Sequence, residues 1–187
     1  RSSDQQAKAL IGRGVISDHS NPHGAAILLN TNDKARNVRS VYYQQIFNQL
    51  GGKLNIMQIS ANYIENIKNI LFYFTGTMKV AGLESNRFVP GAIADHLTSA
   101  GGVLEGGSQM SSMRWLEAGA AGSYGTVVEP CNILAKFPHP GIVMDRYLNG
   151  ETLIEAYWKS VAQPGQGVFI GEPLARPFKV KKYNKIK

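Results

Sequence analysis

Cysteine is almost absent from this chain of 187 residues: Cys131 is the only one, so no internal disulfide can form. There is no Cys-x-x-Cys-His for covalent haem and no Asn-x-Ser/Thr glycosylation sequon. Apolar runs are short. Ile70 to Phe74 is strand length, far below the roughly 20 residues that cross a bilayer, so no membrane span is expected. The first residues hold no charged, apolar and small-residue run of signal-peptide type. Histidine is scarce. His19, His23, His96 and His139 show no metal-ligand spacing, and Pro22 breaks any helix that would align the first two. The glycines match neither a P-loop nor a dinucleotide fingerprint. Neither a metal nor a cofactor is expected.

What remains is ordinary for a folded domain: 43% hydrophobic and 18% charged residues. Net charge is +7, and five lysines crowd the last nine positions: Lys179, Lys181, Lys182, Lys185 and Lys187. Without them the charge is +2, so the body carries no general nucleic-acid signature and nucleic acid is not the expected partner. The tail reads as a solvated run of like charge, with an anion-binding arm as the functional alternative.

Strands and helices alternate along the chain. Ala25 to Leu29 reads as a buried strand. A helix over about 34–50 follows, capped by Asn32 or Asp33 and ended by Gly51-Gly52. Its inward face is expected to carry Val38, Val41, Tyr42, Ile46 and Leu50. A short helix or turn covers 62–69. Ile70 to Phe74, apolar on both faces, suits a central parallel strand. Phe88 to Ile93, interrupted by Pro90-Gly91, is a short strand or the lead into a helix over 92–98. A helix over 108–118, a small-residue strand over 120–128, a helix over 153–161 capped by Thr152, and a strand over 167–171 complete the pattern. Such alternation argues for a three-layer α/β domain with a mainly parallel sheet.

Several residues carry candidate chemistry. His96 follows Asp95 and precedes Ser99; a carboxylate can hold an imidazole's tautomer for general-base work. Neighbours on a strand point to opposite faces, however, so sequence adjacency alone does not pair them. Cys131 follows Glu129-Pro130 and could present a thiolate, with His96 or His139 as base, although a lone cysteine is more often a small buried hydrophobe. Arg36 and Arg39, three apart on a helix, face similar directions. They could pair with carboxylates such as Glu129 or Glu155, or bind an acidic ligand. Gly101-Gly102 and Gly106-Gly107 before Ser108 could cradle an anion, with tight turns as the plainer explanation.

A family resemblance enters with longer blocks: 33–39, then Phe72-Tyr73-Phe74-Thr75-Gly76, then 90–99 and Gln109-Met110-Ser111. It continues through Gly122 to Cys131, Lys136-Phe137-Pro138, 152–161 and Pro164 to Ala175. From about Ala25 onward the chain resembles an uncharacterised bacterial family of secreted proteins, which implies an extracytoplasmic location, periplasmic or secreted. Members look longer, which implies that residues 25–178 are the C-terminal portion of one domain lacking its opening strand and helix. Residues 1–24 are then an N-terminal extension or linker, and 179–187 a basic tail.

In its order of elements, and in Gly171-Glu172-Pro173, the chain is also similar to gingipain-like cysteine peptidases of the caspase-haemoglobinase fold. Those peptidases carry His-Gly after one strand and a nucleophilic cysteine after the next. Here Thr75-Gly76 stands at the first position, and Asp95-His96-Leu97-Thr98-Ser99 ends the second strand without a cysteine. The resemblance therefore implies a non-catalytic structural or interaction subunit of an extracytoplasmic assembly. Arg36, Arg39, Thr75, Gly76, His96, Ser99 and Glu129 are its expected binding residues. The expected partner is another protein chain, the absent N-terminal part of the same precursor among them. The alternative is a cysteine hydrolase using Cys131 with His96, near Asp95.

Overall fold

A computed structural model describes residues 4–179. Six strands form one sheet: β1 (Ala25–Asn30), β2 (Asn55–Ser60), β3 (Ile70–Gly76), β4 (Phe88–Leu97), β5 (Gly122–Thr126) and β6 (Gly167–Gly171). Their order is β2-β1-β3-β4-β5-β6; all neighbours are parallel except β5 and β6. Five helices accompany them among the described residues: α1 (Asp4–Ser17), α2 (Tyr43–Leu50), α3 (Met113–Glu117), α4 (Pro140–Leu148) and α5 (Leu153–Ser160). No described helix is long and apolar enough to cross a membrane.

Side chains alternate across the central strands, and each face gathers its own core. Ala26, Leu28, Phe72, Phe74 and Ile93 pack with residues of α2, α4 and α5. Ala25, Ile27, Leu29, Tyr73 and Ala94 pack on the other side with Ile64, Leu83 and Trp115. β1 and β3 are apolar on both faces because both are covered, which is what central parallel strands require. Helix α1 lies by β4, and Arg13 Nη2 donates to the Leu116 carbonyl at 2.9 Å.

Several elements differ from the sequence expectation. The segment before α2 is a 3-10 turn, Asn37–Tyr42, instead of the first part of one long α-helix. Its three-residue period rotates the inward face. Arg39, Tyr43, Ile46 and Leu50 are buried, while Val41 is 69% exposed. No helix covers 92–98: β4 runs straight through Pro90-Gly91 to Leu97. The sheet absorbs them in an irregularity: β4 advances five residues from Phe88 to Ile93 while β3 advances two from Ile70 to Phe72. Gly91 takes φ +84°, and Tyr147 Oη donates to its carbonyl at 3.0 Å. Proline, without an N–H, is tolerated at such a break in the ladder.

The expected helix over 108–118 shrinks to the five residues of α3, with Trp115 and Leu116 inward. Edge strand β2 and helix α4 were not foreseen.

Candidate functional site

Strands β1, β3, β4 and β5 run the same way, so their C-terminal ends open onto one edge, where α/β sheets commonly build sites. Thr31, Thr75-Gly76, His96 to Ser99 and Thr126 lie there. The backbone is tightly laced. Thr31 Oγ1 donates to the Gly76 carbonyl at 2.6 Å. Thr126 Oγ1 donates to the carbonyls of Thr98 and Ser99, each at 2.9 Å. Position 76 needs glycine because a β-carbon would collide with the Arg36 carbonyl. Gly102 of the following loop acts similarly: its N–H donates to the Thr126 carbonyl, and a β-carbon there, or at Gly125 of β5, would collide with the opposing backbone. Gly106 instead takes φ +75° in open space, a turn position that favours glycine.

Asp95 and His96 divide between the two faces. On the α2/α5 side, Asp95 Oδ1 lies 2.5 Å from Arg39 Nη2, and both side chains are 2% exposed. Arg39 also donates to the Thr75 carbonyl at 2.9 Å and the Pro138 carbonyl at 3.3 Å, with Phe74 5.7 Å beneath its guanidinium. Burial pushes the Asp95 carboxyl up by more than Arg39 pulls it down, so its pKa stays raised. The Tyr157 hydroxyl interacts with the same carboxylate without closing a well-aligned hydrogen bond. The guanidinium ties the 3-10 turn, the end of β3 and the end of β4 into one unit.

On the opposite side, His96 Nδ1 accepts from the Trp115 indole N–H at 2.9 Å. Its Nε2 lies 3.0 Å from the Met110 carbonyl. An imidazole that accepts at Nδ1 must donate at Nε2, so these partners fix the neutral tautomer. Burial, the largest cause, lowers its pKa from 6.5 to about 4. Asp95 therefore does not orient His96, and neither ring nitrogen is free.

Outside this buried layer, Arg36 and Arg39 have parted company. Arg36, about a quarter exposed, pairs with Asp33 at 3.1 Å and donates from Nε to Thr98 Oγ1 at 3.1 Å. Thr98 in turn donates to Gln109 Oε1 at 2.7 Å, which also accepts from the Ala100 N–H at 2.8 Å. Glu129 is exposed; hydrogen bonds from Ser99 and from the Cys131 N–H hold its carboxyl below the usual range. Arg36, Ser99 and Glu129 thus share one surface, with the Arg36 charge acting on Glu129. Glu155 is elsewhere, closing the capping box of α5 with Thr152. Thr98, Gln109 and Trp115 complete the arrangement. Trp115 was legible only as core, and nothing in the sequence assigned Gln109 its double role.

Cys131 is exposed, contrary to the ordinary fate of a lone cysteine, on a turn where it and Asn132 take φ +52° and +55°. Among the described residues no imidazole hydrogen-bonds its thiol. His139 caps α4, accepting from Ile142 N–H at 3.4 Å, and its ring packs on Tyr42. Among the described residues Thr75 Oγ1 is buried without a hydrogen-bond partner. No group of three or more His, Cys, Asp or Glu among the described residues is placed to hold a metal ion. The edge therefore offers a charged rim and hydrogen-bonding groups, with both nearby imidazoles engaged structurally.

Comparison of the chain with known protein families, with curated proteins and with solved structures finds no match.

Proposed function

We propose that this chain is a non-catalytic module of caspase-haemoglobinase type, acting as a structural or interaction subunit of an extracytoplasmic assembly. The rim of Arg36, Ser99 and Glu129 receives another protein chain. One observation carries the reading. Thr75 and His96 are register partners on adjacent parallel strands β3 and β4. On the sequence resemblance, these strand ends stand where gingipain-like peptidases carry their histidine and cysteine. Here the first holds a buried threonine, and the second holds an imidazole whose two nitrogens bond Trp115 and Met110. General-base work at His96 would require breaking one of those bonds and protonating a group that burial keeps neutral.

The cysteine-hydrolase reading keeps one favourable observation, the exposure of Cys131. Alkylation kinetics separate the two. Under the interaction reading, iodoacetamide modifies Cys131 near neutral pH no faster than it modifies a small free thiol such as glutathione, and a broad panel of peptide substrates is left uncut. Labelling orders of magnitude faster, abolished by His96→Gln, would replace the interaction reading with the hydrolase.

A further inference from the structure

At the other end of the sheet, where β1, β2 and β3 begin, a cavity of about 660 Å³ opens to solvent. Its charged lining is of one sign: Lys53 and Lys68, with His23 beside them and no carboxylate. Among the described residues neither lysine forms an ion pair. Asn21, Asn55 and Asn69 add amide donors, and Leu54, Leu148 and Phe178 give the cavity an apolar side. The C-terminal region meets the same rim. Asn21 N–H donates to the Pro177 carbonyl at 3.1 Å, and His19 Nδ1 lies 2.9 Å from the Lys179 carbonyl. Lys181, Lys182, Lys185 and Lys187 follow within nine residues of the rim residue Phe178.

Like charge argues against the lysine-rich tail as the occupant, because a cationic segment entering a cationic cavity is repelled. The lining itself forms a positive field, which raises the local concentration of anions. We propose that this cavity binds a small ligand bearing two or more phosphate groups, with Lys53 and Lys68 contacting the phosphate oxygens. The volume falls within the range of small-molecule sites. Lysine suits the role as a compact charge with three donors. The proposal is independent of the reading of the opposite edge.

The test is calorimetric titration of the full chain with tripolyphosphate and, separately, ATP, at about 50 mM salt. Saturable one-to-one binding is expected, weakened roughly tenfold or more in Lys53→Gln/Lys68→Gln and retained in Lys53→Arg/Lys68→Arg. Equal affinity for the two probes assigns recognition to the phosphates alone. Tighter ATP binding assigns a contribution to a base on the Phe178 side. Both lysines are exposed, so circular dichroism of the variants should match that of the parent. Absence of saturable binding would overturn the proposal. So would binding indifferent to both lysines, including binding that vanishes only on deletion of residues 180–187, which would belong to the tail alone.

Discussion

Where β3 and β4 end, Arg39, Asp95 and His96 are each no more than 3% exposed, and each has its charge or hydrogen bonds committed to a neighbour. Where β1, β2 and β3 begin, Lys53, Lys68 and His23 face water around an open cavity with no carboxylate in its lining. The two ends of one sheet thus treat polar chemistry in opposite ways. A buried polar group must be satisfied internally, so its identity reports on folding. An exposed cation without a protein partner contributes little to the fold and is free to meet a ligand. Residue types that resemble catalytic machinery lie at the first end, while the unengaged charge lies at the second.

The comparison breaks most sharply at Asp95. Asp95→Asn leaves Arg39 buried without its counter-charge, and a loss of about 3–5 kcal/mol is expected in urea denaturation. The paired replacement Arg39→Met/Asp95→Leu should recover much of that loss, because two apolar side chains remove both desolvation penalties. A small effect of Asp95→Asn would mean that water reaches the pair, and that this end is less closed than its packing indicates.

His96 gives the next largest effect. Between pH 6.5 and about 4 the unfolded chain binds a proton at this imidazole and the folded chain does not. The stability contributed by the neutral ring is complete above pH 6.5 and is lost as pH falls toward 4, by an amount on the order of 3 kcal/mol. Asp95 acts in the opposite sense: its raised folded value contributes stability that is lost as pH rises above 3.8. Where the two windows overlap, the acid limb of the whole chain is expected to be shallower than that of His96 alone. His96→Gln can keep both hydrogen bonds while removing the titration, so subtracting its urea profile from that of the parent isolates the imidazole. Identical pH profiles would place the titration elsewhere.

The smallest effect belongs to the open end. Lys53→Gln/Lys68→Gln should change stability by less than about 0.5 kcal/mol, since both side chains are exposed and neither forms an ion pair among the described residues. A larger loss would make these lysines structural and remove the contrast between the two ends.

Legibility in the sequence followed burial. Ala25–Asn30 and Ile70–Gly76 were readable because a strand covered on both faces is a continuous apolar run. Thr152 announced α5 as its cap, and in the structure Glu155 completes it as a capping box. Strand β2 escaped notice because Ile56 is its only buried residue and the polar side chains at its exposed edge mask the period. Helix α4 was hidden behind Pro138 and Pro140, although proline at the first helical position is itself a start signal. At the candidate site, the alternation rule already separated Asp95 from His96. It could not supply Arg39 for the one and Trp115 for the other. Those partners lie 56 and 19 positions away along the chain, brought into place by a 3-10 turn and by the short helix α3.

The amino-acid sequence by itself determined the alternating α/β pattern, the central strands, the capped last helix and the concentration of positive charge near the C-terminus. Each follows from local periodicity, end chemistry or composition, which act within a few residues. Tertiary structure alone decided the strand order, the pairing of Arg39 with Asp95, the fixed tautomer of His96 and the gathering of Lys53, Lys68 and His23 around one cavity. These depend on contacts between segments far apart in the chain, which local patterns do not encode.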